Sequence, residues 1–310
     1  MLCSTRGRAV ADLPTNTKAM STALARSAGR KGGLRQLMRQ PLFWLPVAVL
    51  AVLLAFAIAP APFAALFGNG DPRSCSLANS SGLPSAGHPF GFDLQGCDIW
   101  ANSVHGAQAS ITVGVLATAI SLAIAILLGT IAGLYGGVAD WLISRLTEVF
   151  LGFPFLLAAI VVLNSLGDRS VLTVSLVLGV FGWPTMARLV RTSVRAIRTS
   201  EYVLAARTMG LGQLRIITRY VLPNALTPVI VLATIAIGAV IVAESSLTYL
   251  GIGLQPPAIS WGLQIAAGSR VFQTAPHIIM LPSLMLALTV LSVIGLGESL
   301  RTAFDPRRQQ

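Results

Sequence analysis

"ASITVGVLATAISLAIAILLGTIAGL", Ala109–Leu134, holds 26 residues and not one Asp, Glu, Lys or Arg. A bilayer core is crossed by about 20 mostly apolar helical residues, so this stretch is long enough to span it. It is not isolated. Residues 40–70, 99–139, 149–167, 170–187, 220–243, 245–269 and 271–297 are all free of charge. Of the 310 residues, 54% are hydrophobic and 11% charged, where a soluble domain carries about a quarter charged residues. The chain reads as a membrane protein.

Two windows need trimming. Ile99–Ala107, with Trp100, Asn102 and His105, reads as an interfacial segment ahead of the span. The 245–269 window is broken by Gly251, Gly253, Gln255, Pro256, Pro257 and Gly262, which suits a loop or a short re-entrant piece. The expected fold is an all-α membrane protein with six transmembrane helices, near 43–66, 109–134, 149–166, 171–187, 225–243 and 278–297. Pro154 is expected to kink the third.

Lys and Arg collect in cytoplasmic loops. With the N-terminus inside, 19 of the 22 fall on the cytoplasmic side, and only Arg73, Arg169 and Arg270 fall outside. Both termini are therefore expected in the cytoplasm. The net charge of +11 follows from topology and from attraction to anionic lipid, and it does not indicate nucleic-acid binding. The Ser-, Ala- and Arg-rich residues 1–40 are expected to form a disordered basic cytoplasmic tail.

Several chemistries are excluded. The two lysines, Lys18 and Lys31, sit in no G-x-x-x-x-G-K-[ST] setting, and there is no H-E-x-x-H or G-x-S-x-G. His88, His105 and His277 are scattered through predicted outer segments, and the three cysteines have no metal-site spacing. No metal and no catalytic residue is expected. An ion-coupled secondary transporter would place charge at mid-membrane. Only Glu244, at the outer end of the fifth span, comes near, and a pathway role and a headgroup-level carboxylate both fit it.

The longest inner loop contains "EYVLAARTMGLGQLRIITRYVLPN", Glu201–Asn224, too polar to cross a bilayer. Ser200 is placed to cap a helix opening at Glu201, and Gly210-Leu211-Gly212 breaks it. A second short helix follows with Leu211, Leu214, Ile217 and Val221 on one face, and Arg215 and Arg219 away from it. Pro223 is expected to start the fifth span. Ala205, Ala206 and Gly210 form a small-residue knuckle that another protein can approach closely, although a loop lying on the membrane fits the same pattern.

The spacing of Ala205, Ala206, Gly210, Leu222 and Pro223 resembles the EAA loop of ABC-importer permeases. Leu204 stands where that family usually has glutamate, with Glu201 one turn earlier. "HPFGFDLQGCDIW" (His88–Trp100), "GLYGGVADWLISRLTEVFLGFPFLL" (Gly133–Leu157), "GWPTMARLVR" (Gly182–Arg191) and "AESSLTYLGIGLQPPAISWG" (Ala243–Gly262) resemble further segments of C-type dipeptide and oligopeptide permeases. Together they cover most of residues 85–307.

The resemblance implies a type I importer permease of a bacterial-type plasma (inner) membrane. Its domains would be the 1–40 tail, a first transmembrane helix over 41–67 and an extracytoplasmic loop over 68–108. A permease core over 109–300, with the coupling loop at 188–224, and a 301–310 tail would follow. It implies an ATPase-coupling site at Glu201, Ala205, Ala206, Gly210, Leu211, Arg215 and Pro223. The implied partners are a second homologous permease subunit, two cytoplasmic ATPase subunits or domains, an extracytoplasmic peptide-binding protein and membrane lipid. The chain itself would bind no cofactor; ATP and Mg would sit on the ATPases. A nickel or other small-solute importer is the neighbouring alternative. Cys97 replaces the usual Arg of the family segment. With Cys75, 22 residues earlier in the predicted outer loop, it forms either a disulfide or a pair of free thiols.

Overall fold

The computed structural model describes residues 41–304 except Asn69, so the readings for residues 1–40 and 305–310 lie outside the described residues. Among the described residues the regular structure is helical: α1 (Pro41–Ile58), α2 (Pro60–Ala64), α3 (Ile99–Tyr135), α4 (Gly137–Gly152), α5 (Phe155–Leu166), α6 (Val171–Ile197) and α7 (Glu201–Thr208), then α8 (Gln213–Tyr249), α9 (Trp261–Ser269) and α10 (His277–Phe304). Four of these, α3, α6, α8 and α10, are long and apolar enough to cross a membrane, and five if α4 and α5 form one bent span.

Several expected boundaries move, each for a local reason. The first apolar window does not run to residue 66 as one helix. Ala59 precedes Pro60, leaves helical geometry at φ −137°, and splits α1 from α2. Ile99–Ala107 is not a separate interfacial piece but the first turns of α3, capped by Asp98, whose carboxylate accepts Ala101 N–H at 3.0 Å. The third window is not merely kinked. Phe153 adopts extended geometry before Pro154, and α4 and α5 diverge by 85°.

The polar end of α6 also departs from expectation. Arg188 does not start a loop; α6 continues as helix through Ile197. Pro223 stands in the first turn of the α-helical run Leu222–Tyr249, as expected, but that run has no free start. Helix α8 runs unbroken from Gln213, and a π turn over Ile217–Val221, closed by Leu222 N–H to Ile217 O, absorbs the bond that the proline cannot make. At the C-terminus, α10 continues past residue 300 to Phe304.

The most extensive helix pair is α3 with α6. Its closeness comes from small residues: a Cβ on Gly129 would lie 2.7 Å from Ala187 O, and one on Gly133 2.9 Å from Arg191 O. Ser121 Oγ adds a hydrogen bond of 2.8 Å to Gly179 O across the pair. Gly136 and Gly137, by contrast, form the turn between α3 and α4, at φ +66° and +53°. With 37 residues, α3 is about 55 Å long and defines two ends of the molecule. One carries the arginines of α6 and α7, the other the loops around Cys75 and Trp261.

Candidate functional site

At the arginine-rich end, α7 and the first turns of α8 form a hairpin. Its turn follows from one residue. Gly210 sits at φ +75°, where a side chain is strained, and this lets Gly210 N–H reach Arg207 O at 3.0 Å and Leu211 N–H reach Ala206 O at 3.2 Å. Those two bonds, with Leu211 packed in the same apolar cluster as Ala206, end α7 in a Schellman motif. The start differs from the sequence reading. Ser200 stands at the N-cap, but its hydroxyl donates backwards to Ile197 O at 2.6 Å and leaves the first turn of α7 uncapped by a side chain.

The hairpin has an inner and an outer face. Val203, Ala206 and Ile216 are buried against Val190, Val194, Val221, Ala225 and Val229, so both helices are fastened to the ends of α6 and α8. Leu214, assigned by its spacing to the buried stripe, is 75% exposed, and Ile216 takes its place. The outer face carries Tyr202, Leu204, Ala205, Met209 and Leu214, with Glu201, Arg207, Arg215, Arg219 and Pro223 also exposed. The knuckle is therefore divided: Ala205 faces outward, and Ala206, 1% exposed, faces the core.

Arginines of α6 brace the hairpin's base. The Arg191 guanidinium holds Asp140 of α4 through Nε to Oδ1, and through Nη2 to Oδ2 at 2.7 Å. Arg195 adds a longer contact of 3.8 Å. Arg198 Nη1 donates to Gly133 O and Leu134 O at 3.1 and 2.7 Å, neutralising the carbonyl end of α3. Arg191 thus serves this chain's own packing. Asp140 escaped the sequence reading, although an acid three residues after a Gly-Gly pair, in the first turn of a helix, was a visible signal.

At the other end, Cys75 and Cys97 are joined by a disulfide across 22 residues. The loop it closes folds back on itself through Ser81 N–H to Asp93 O and Phe92 N–H to Gly82 O. Asp93 accepts Gln95 and Cys97 N–H at 2.8 and 2.9 Å, and burial pushes its carboxyl up against the lowering effect of those bonds. Asp98 also binds the His88 ring.

The two segments rich in Pro, Gly and Trp meet here. Trp261 Nε1 donates to Ser103 O, and Gln264 Nε2 to Asn102 O, both at 2.9 Å. Beside them opens a cleft of about 690 Å³, whose lining includes Arg73, Asp93, Gln255, Pro257 and Arg270. Arg169, the third arginine on this side, donates to Gly251 O at the cleft's loop. Glu244 is neither exposed nor in this cleft; it is wholly enclosed beneath it.

Residues 125–310 match the family described as binding-protein-dependent transport system inner membrane component. The chain is 34% identical over 273 residues, 88% of each chain, to the dipeptide transport system permease protein DppC of Alkalihalophilus pseudofirmus. It is 32% identical over 256 residues to the oligopeptide transport system permease protein OppC of Bacillus subtilis, covering 83% of this chain and 84% of that one. With the glutathione transport system permease protein GsiD of Escherichia coli it shares 36% identity over 229 residues, 74% and 75% of the two chains. Among solved structures, an inward-facing MetNI methionine ABC transporter superimposes with a TM-score of 0.52 at 19% identity, covering 65% of this chain and 96% of that one, a likeness of fold.

Proposed function

The chain belongs to the binding-protein-dependent transport system inner membrane component family, and we propose that it is the permease subunit of an ATP-driven importer of dipeptides and oligopeptides. The names of relatives aligned over 88% and 83% of this chain support the substrate class. A sequence without a P-loop supports separate ATPase subunits, which would hold the ATP and Mg, while this chain holds no cofactor. A second permease subunit would complete the pore, and an extracytoplasmic binding protein would deliver the peptide to the disulfide end.

In this reading the membrane is crossed six times, by α1 with α2, α3, the bent pair α4–α5, α6, α8 and α10. The Lys and Arg distribution supports cytoplasmic termini and a cytoplasmic hairpin. The observation that carries the mechanism is the two-faced hairpin. Its outer face offers Tyr202, Leu204, Ala205 and Met209 to a partner, and its inner face is packed into α6 and α8. An ATPase that grips the outer face and moves on binding ATP would move both helices as one body, because packed helices shift rather than deform. That motion would switch the pore between its two sides without any chemistry on the peptide.

Purification in mild detergent, identification of co-eluting subunits and reconstitution into vesicles test this. The expected result is uptake of labelled peptide that requires ATP and the ATPase subunits. Uptake by this chain alone, driven by an ion gradient, overturns it.

A further inference from the structure

Glu244 lies in the last two turns of α8 with no exposed surface, and among the described residues it forms no ion pair. Its neighbours are hydroxyls. Thr248 Oγ1 donates to Oε1 at 2.8 Å, Ser245 Oγ donates to Oε2 at 3.2 Å, and the Ser110 hydroxyl of α3 lies nearby. Two of these hydroxyls also hold a backbone amide. Thr248 Oγ1 accepts Leu254 N–H at 3.0 Å, and Ser110 Oγ accepts Trp261 N–H at 3.2 Å.

A hydroxyl has one hydrogen and two lone pairs. An oxygen that gives its hydrogen to the carboxyl has its lone pairs left for an amide. Elsewhere in these helices Thr234, Ser246 and Thr289 spend that hydrogen on the carbonyl four residues back. Glu244 redirects it. Leu254 lies within the loop between α8 and α9, and Trp261 is the residue at which it ends. That loop, through Gly251, Leu254, Gln255, Pro256, Pro257 and Ala258, lines the 690 Å³ cleft. The carboxyl therefore orients the Thr248 hydroxyl that ties Leu254 down, next to the Ser110 hydroxyl that holds Trp261. Burying a carboxyl away from water and cations is costly, whereas an apolar residue would fill the space without orienting anything.

We infer that Glu244 is a positioning residue: it fixes the Leu250–Ser260 loop to α8, so that a contact made at the cleft is passed to the helix whose far end is the hairpin. Helix α8 is unbroken between the two, from Gln213 to Tyr249. The functional half of this inference rests on the importer reading, in which the loop receives the loaded binding protein.

The test uses the whole complex in lipid nanodiscs, with Glu244→Ala, Glu244→Gln, Thr248→Val and Ser110→Ala variants. Amide hydrogen exchange over 250–261 should rise about tenfold in Glu244→Ala and Thr248→Val while α3 and α6 stay unchanged. Stimulation of ATP hydrolysis by peptide-loaded binding protein should fall about fivefold, with basal hydrolysis intact. Glu244→Gln, which keeps one acceptor oxygen, should fall between, and Glu244→Ala with Thr248→Val should be no worse than either alone. Unchanged loop exchange overturns the inference. So does faster exchange throughout the bundle in every variant, or a loosened loop with stimulation intact. A wild-type complex that binding protein does not stimulate counts against the importer reading instead, and loop exchange still decides whether Glu244 fixes the loop.

Discussion

Arg191 of α6 grips Asp140 of α4 with both arms of its guanidinium, Nη2 reaching Oδ2 at 2.7 Å. The side chains are 30% and 17% exposed, so water screens the pair only in part. The contact fixes the first turn of the α4–α5 bent pair to the helix that supports the hairpin.

Arg191→Lys keeps the charge but loses the fork, and should lower stability by about 1 kcal/mol. A double-mutant cycle of Arg191→Ala with Asp140→Ala, read by thermal unfolding of the purified complex, should give a coupling energy of about 1 kcal/mol. Strict additivity would show that the pair contributes nothing beyond its separate side chains.

Gly210 should tolerate size better than geometry. Nothing lies within 4 Å of a Cβ placed there, yet φ is +75°. Gly210→Ala should destabilise the hairpin by about 1–2 kcal/mol through backbone strain alone, and Gly210→Asn should cost less because asparagine enters this region more readily. Proteolytic nicking of the hairpin, followed over time, ranks the variants. Equal nicking of the Ala variant, the Asn variant and the wild type would contradict this ranking.

The Cys75–Cys97 bridge closes a loop spanning 22 residues, so Cys97→Ser should lower stability by roughly 3 kcal/mol on the chain-entropy model. Impermeant maleimide on intact cells should label this chain only after reduction, and not at all in the Cys75→Ser, Cys97→Ser double variant. Labelling without reductant would show free thiols. Labelling confined to permeabilised cells would reverse the proposed orientation.

Much of this fold was legible because membrane insertion leaves a one-dimensional trace. Charge-free windows mark helices, and α3, α6, α8 and α10 lie where those windows fall. What hydropathy misses is whatever a neighbouring helix decides. Arg188, Arg191 and Arg195 looked like a loop because charge usually ends a span; α6 carries them as helix, with Asp140 waiting for Arg191 and Arg195. Pro223 does open the α-helical run Leu222–Tyr249, but no local signal shows the π turn that joins this run to Gln213–Ile216. The pattern of Ala205, Ala206 and Gly210 marked the hairpin, yet which alanine faces out depends on Val203 and Ile216 packing inward. Glu244 gave no sign of enclosure, since the groups packed near it include Ser110 of α3, more than a hundred residues away.

That division makes the two alanines separable. Ala206→Leu should overpack the cluster around Val190 and Val194 and cost about 1–3 kcal/mol. Ala205→Arg should leave unfolding unchanged and abolish ATP-dependent uptake. Uptake by Ala205→Arg at the wild-type rate, with full subunit assembly, would show that this face is not used.

The most direct measurement is site-specific cross-linking of the assembled complex from Ala205→Cys on the hairpin and, as a control, Gln255→Cys on the cleft loop. Ala205→Cys should cross-link to an ATP-binding subunit in a nucleotide-dependent yield, and Gln255→Cys never should. An ATP-binding subunit captured from Gln255→Cys, or none captured from Ala205→Cys in a complex that transports peptide, would contradict this.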